Sequence, residues 1–136
     1  MATRRRGREV ALQMLFQLDA SDASQNEVKQ LYRACFAEGP LPDDFSIDLF
    51  DAVSAQLAEI DAVIEASSQN WRIERMSCVD RNILRIGISE ILDANEVPTR
   101  VAINEAVELA KRYGTKESPS FVNGILDRVA RDKLKL

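Results

Sequence analysis

At 136 residues, with 46% hydrophobic side chains and only five glycines and four prolines, the chain has the length and composition of one globular domain rich in helix formers. Its 18 Lys and Arg stand against 22 Asp and Glu, and it holds no histidine, Walker loop, GxGxxG, GxSxG or CxxC pair, which argues against an enzyme, a zinc site or any cofactor. No stretch approaches the ~20 apolar residues of a membrane span and the N-terminus lacks a signal peptide's apolar run, so a cytoplasmic protein with no membrane partner is expected, its Cys35 and Cys78 reduced and packed in the core.

The first helix is expected from about Arg4 to Leu18. At ~100° per residue, Val10, Ala11, Met14, Leu15 and Leu18 form one stripe, the core face, while Phe16 falls almost opposite beside Leu12, Arg5 and Arg8. Phe16 is therefore covered either by another part of the chain or by a partner. Ser24 followed by Glu27 reads as a capping box opening a second helix, with Val28, Leu31, Tyr32, Cys35 and Phe36 at helical spacing and Gly39-Pro40 as its stop. From about Phe45 to Ser67 the apolar residues Ile47, Leu49, Phe50, Val53, Leu57, Ile60, Val63 and Ile64 recur at three and four, as one helix or as two with a break near Gln56.

The stretch SSQNWRIERMS loses the periodicity and reads as a connector. Ser77 and Asp80 then cap a helix running to about Ala94, with Ile83, Leu84, Ile86, Ile91 and Leu92 inward, and Pro98 ends the following loop. A helix from about Ala102 to Tyr113 closes at Gly114, expected as a left-handed cap, and the last helix starts with Ser118 as cap and Pro119 at its first position, reaching about Lys133. Asn123-Gly124 looks like a turn, yet Phe121, Val122, Ile125, Leu126 and Val129 keep helical spacing across it. With no period-two alternation over a strand length, the fold class is all-α, six or seven helices.

Charge is segregated along this array. Residues 1 to 8 carry four arginines and no acid, whereas residues 34 to 71 carry eight acids and no Lys or Arg, an asymmetry suited to oriented binding of an anion. Arginine forks match phosphate oxygens two at a time, and cations at a helix N-terminus oppose its dipole, so Arg4, Arg5, Arg6 and Arg8 incur a cost that a frayed, merely solvated terminus does not explain. Four phosphates neutralised on a single strand imply a log-log salt slope of about −2.8. The stretch KRYGTKESPSF supplies a second candidate: Tyr113 and Phe121 bracket a glycine turn on which unpaired bases can stack, and Lys111, Arg112 and Lys116 add charge. The competing reading makes Phe121 core and Ser118 only a cap.

The segments RRRGREVALQMLFQLD, DRNILRIGISE, VPTRVAINEAVELAKRYG and SPSFVNGILD together resemble the NusB family of bacterial transcription antitermination factors over essentially the whole chain. The resemblance implies a single NusB-like RNA-binding domain across residues 1–136, built as two packed helical bundles. It also implies a role without catalysis, as an assembly adaptor. Family members pair with NusE, a small-subunit ribosomal protein, hold single-stranded boxA RNA, and join the RNA polymerase antitermination complex, notably in ribosomal RNA operons.

By position, the resemblance adds Glu117 and Ser118 to Tyr113 and Phe121 as RNA contacts, and implies a NusE interface at Phe16, Glu74 and Asp80. Ser120 stands where some relatives have lysine, which weakens phosphate contact there. The bland readings are a loop charge for Glu74, a helix cap for Asp80, and helix organisation for Asn104 and Glu105. Two alternatives stand beside the adaptor: a homodimeric helical interaction module with its RNA face occluded, and the RNA-binding domain of a ribosomal RNA methyltransferase, for which the chain shows no cofactor-binding domain.

Overall fold

The computed structural model describes residues 4–35, 44–68, 72–93 and 97–134. Among them are seven α-helices and no strand: α1 (Arg4–Ala20), α2 (Gln25–Cys35), α3 (Asp44–Ala55), α4 (Leu57–Ser67), α5 (Cys78–Leu92), α6 (Thr99–Tyr113) and α7 (Ser118–Leu134). They fall into two compact units, residues 1–55 and 56–136. The expected all-α class holds, and the break near Gln56 is where α3 ends and α4 begins: Gln56 leaves helical geometry at φ −118°, ψ 24°. Phe36 and the Gly39-Pro40 stop lie outside the described residues.

In the first unit α1 packs against α2 and α3. Val10, Ala11, Met14 and Leu15 are buried as the α1 stripe requires, and Val28, Leu49, Phe50 and Val53 complete the core. Removing each of the larger of these side chains from water contributes about 1.5–3 kcal/mol. The helices are held in register by Lys29 Nζ donating to Asp51 Oδ1 at 3.0 Å and by Tyr32 donating to Gln13 Oε1 at 3.3 Å. The capping box forms as read: Ser24 Oγ accepts from Glu27 N at 3.2 Å, and Glu27 Oε1 accepts from Ser24 N at 3.4 Å.

Gly7 fixes the approach of α1 to α3. A Cβ there would stand 2.6 Å from Cδ1 of Phe45, so only glycine admits the ring. Two apolar assignments fail. Leu12, placed beside Phe16 on the outer face, is buried, and Leu31, placed inward, is exposed, standing about 60° around α2 from the fully buried Val28.

In the second unit α5 is the central helix, packed by α4, α6 and α7 and buried on every side from Asn82 to Ile91. Buried in this packing are Ile83, Leu84, Ile86, Ile88 and Ile91 of α5, Ile60 and Ile64 of α4, the alanine-rich face Ala102, Ala106 and Ala110 of α6, and Val122, Leu126 and Val129 of α7. Small residues let these helices close: a Cβ on Gly87 would lie 2.7 Å from Leu126 Cδ1. Two charged side chains of α5, Arg85 and Glu90, are enclosed. Arg85 donates from Nε and Nη2 to Asp61 Oδ1 and Oδ2 at 2.8 and 2.9 Å, and from Nη1 to Asn82 Oδ1 at 2.9 Å, clamping α4 to α5. Lys133 Nζ donates to the carbonyl of Ile91 and Arg128 Nη1 to that of Ser67, each serving an unpaired carbonyl near a helix end. Leu92, the last residue of α5, is exposed rather than inward, and Gly124 continues α7 as its helical neighbours demand.

Candidate nucleic-acid interface

The arginine-bearing start of α1 divides into residues that build and residues that present. Arg4 and Arg8 both set their guanidinium carbon 5.4 Å from the centre of the Phe45 ring, a cation-aromatic contact of about 0.5–2 kcal/mol. Arg4 remains exposed, but Arg8 is only 3% exposed. The expected phosphate contact of Arg8 is therefore corrected: its head group is enclosed beside Phe45 and is unavailable to a polyanion within this unit. Arg5 is exposed, and Arg6 is half-exposed with Nη1 donating to Glu9 Oε2 at 2.8 Å. The sequence carried the signal for Arg8, since it stands seven residues before Leu15, about 20° from it around the helix and hence at the margin of the core stripe. Phe45 as the partner of two arginines had no local signal.

The turn between α6 and α7 is built by hydrogen bonds among its own residues. Ser118 is 1% exposed, and its Oγ accepts from Thr115 N at 2.9 Å. It stands inside α7, where the carbonyl of Glu117 receives the N–H of Phe121 at 3.1 Å, so Glu117 occupies the cap position expected of Ser118. Ser118 thus ties the turn together rather than meeting RNA with its side chain. Gly114 is not left-handed either: its φ is −93° and ψ −166°. Glycine is needed because a Cβ there would overlap the Ser118 side chain.

Lys116 and Glu117 are exposed on this turn, with Thr115 Oγ1 donating to Glu117 Oε2 at 3.4 Å. Tyr113 is half-exposed, with the Arg112 guanidinium 5.8 Å from its ring centre, and the exposed Lys111 donates to Glu108 Oε1 at 3.2 Å.

Before α5 a 3-10 turn, Ile73–Arg75, carries the exposed Glu74. Ser77 caps α5 as read, its Oγ accepting from Asp80 N at 3.0 Å. Here the second unit brings together residues far apart in the chain. Arg75, Met76, Ser77 and Asp80 line one wall of a cleft of about 300 Å³, and Glu117, Ser118 and Phe121 line the other. One residue expected at a protein interface, Asp80, thus shares a cleft with three expected at RNA; Lys111, Tyr113, Lys116 and Glu74 do not line it. Oδ1 of Asp80 is buried and has no hydrogen-bond partner. Arg75 and Met76, unassigned from sequence, became visible only when α5 and α7 were set side by side. In the first unit, Phe16 is 43% exposed, in keeping with its off-core position on α1.

Among the described residues no three His, Cys, Asp or Glu gather as a metal site, and no helix is long and apolar enough to cross a membrane. The class these features define is an all-helical protein whose cationic and aromatic side chains concentrate at helix starts and one turn, as in a nucleic-acid-binding module. A profile of the NusB family matches residues 5–131, and the chain belongs to that family. Transcription antitermination protein NusB of Sorangium cellulosum is 45% identical over 97% of this chain and 94% of its own. Among solved structures, T. maritima NusB superposes with a TM-score of 0.81 at 33% identity, covering 99% of both chains. A chain from a crystal structure of the antitermination factors NusB and NusE in complex with dsRNA gives 0.81 at 25% identity, over 95% of this chain and 96% of that one.

Proposed function

We propose that this protein is a cytoplasmic, non-catalytic transcription antitermination factor that binds boxA-type RNA together with NusE and brings both to the RNA polymerase antitermination complex. The observation that carries this reading is the near full-length match to antitermination proteins, joined to a fold shared with a NusB that pairs with NusE and RNA. Arg4, Arg5 and Arg6 meet RNA phosphates; Tyr113, Lys116, Glu117 and Phe121 meet the strand from the α6–α7 turn, with Lys111 adding charge. Phe16 and Glu74 serve NusE. Single-stranded RNA is the favoured form because the chemistry of the turn, aromatic faces beside flexible cations, suits unstacked bases.

The test is a titration of boxA and scrambled RNA with and without NusE. Tighter binding of boxA, strengthened by NusE, is expected. Equal binding of both sequences, unchanged by NusE, overturns the reading, and a homodimer that RNA cannot dissociate would favour the interaction module instead. Phe16→Ala is expected to weaken NusE binding about tenfold or more with little change in melting temperature, as an exposed interface aromatic would.

A further inference from the structure

We propose that Glu9 is the positioning residue of the arginine-bearing start of α1: its buried carboxylate holds the Arg6 guanidinium at the helix surface, where a phosphate of the bound strand meets it, without touching the RNA itself. This rests on the RNA-binding function proposed above.

Glu9 is out of place for an ordinary acid. It is 3% exposed, although glutamate is almost never fully buried unless paired. A carboxylate near a helix start is usually explained by the macrodipole, whose effect falls off within the first turn. The first turn of α1 carries no acid, and Glu9 stands in the second. Solubility does not explain it either, because the carboxylate is shut off from water. Beside a site for a polyanion, moreover, a negative charge by itself weakens binding. The bond to Arg6 gives that charge a use: Arg6 Nη1 donates to Glu9 Oε2 at 2.8 Å.

The two ends of this pair are unequal, which makes it a mount for Arg6 and distinguishes it from a surface ion pair. The Glu9 side chain is 4% exposed and the Arg6 side chain 39%. In an exposed i,i+3 pair two flexible side chains must be ordered for one contact, which leaves little net gain. Here packing already holds the acid, so the bond orders Arg6 alone. A guanidinium is a planar fork, and a charge-assisted bond at one nitrogen fixes the plane in which its N–H groups lie. The head group is therefore aimed before RNA arrives, and less rotamer freedom is lost on binding. Its exposure leaves it within reach of a phosphate. Arg4 is ordered by different means, with its guanidinium carbon 5.4 Å from the centre of the Phe45 ring.

The test is a double-mutant cycle on boxA RNA affinity, with the full chain and NusE bound. Arg6→Ala is expected to weaken binding about fivefold. Glu9→Met, similar in length and a good helix former, removes the acceptor and is expected to weaken binding about threefold, although it deletes a negative charge. Glu9→Gln keeps a neutral acceptor at the same place and is expected to fall between Glu9→Met and the wild type. In the Arg6→Ala background both Glu9 variants are expected to change affinity less than about 1.5-fold. Tighter binding by Glu9→Met would make Glu9 merely an opposing charge, and an equal loss with and without Arg6 would make it a structural residue acting through the fold; either overturns the proposal. If Glu9→Met does not fold, the same cycle is read from Glu9→Gln, where a loss confined to the chain with Arg6 supports the proposal and any other result overturns it. If RNA binds but Arg6→Ala leaves affinity unchanged, the positioning role falls while the RNA-binding function stands. If no RNA binds, both fall together.

Discussion

The arginine-bearing start of α1 and the turn between α6 and α7 reach similar chemistry by opposite means. On α1 the cations are long side chains on a regular helix, and the Phe45 ring shared by Arg4 and Arg8 helps to order two of them. In the turn, order comes from the backbone: Ser118 accepts from Thr115, Glu117 caps α7, and Gly114 leaves room for Ser118. The first arrangement suits a polyanion whose phosphates vary in position, the second suits bases that must be met at fixed geometry. In each, residues resembling contacts are spent on support, Arg8 in one and Ser118 in the other.

The largest effect expected from breaking either support is at Gly7. Gly7→Val forces Phe45 away from α1 and is expected to cost about 1–3 kcal/mol, read as a melting temperature lowered by several degrees. Unaltered melting would mean that Phe45 does not order the start of α1. A smaller effect separates the arginines: Arg8→Ala is expected to cost about 1–2 kcal/mol of stability, and Arg5→Ala less than about 0.5 kcal/mol, by denaturant unfolding. Equal costs would erase the division between building and presenting residues. For the turn, Ser118→Ala removes one buried acceptor and is expected to cost about 1 kcal/mol, with faster hydrogen exchange at the Thr115 amide as its local signature. Glu117→Gln, the mildest change, removes an exposed negative charge from the turn proposed to meet RNA and is expected to tighten RNA binding about two- to threefold, less at high salt.

How far these features were legible in the sequence depends on their range. The Ser24–Glu27 box, the Ser77 cap and the off-core position of Phe16 are fixed by neighbours within a few residues, and all three read directly. Helical spacing also recovered the helix carrying Asn123-Gly124, because five apolar residues outweigh one dipeptide. Gly114 was misread because glycine after a helix has two explanations, a left-handed cap or a close approach, and only the position of Ser118 decides between them. Asp61 and Arg85 lie 24 residues apart with nothing in their spacing to pair them, and the cleft joining Asp80 to Phe121 depends on how α5 and α7 pack. Arg8 lay within reach of the helical wheel, but its charge drew it toward the outer face.

The central claim is that the exposed arginines of α1 bind RNA through its phosphates, and salt dependence tests it most directly. Affinity for boxA RNA in the presence of NusE is measured between 50 and 200 mM salt for the wild-type chain and for the variant combining Arg4→Ala, Arg5→Ala and Arg6→Ala. Three lost phosphate contacts on a single strand are expected to make the log-log slope shallower by about 2.1, the share of a roughly eighteen-fold loss across that range. Identical slopes for the two proteins would contradict the account.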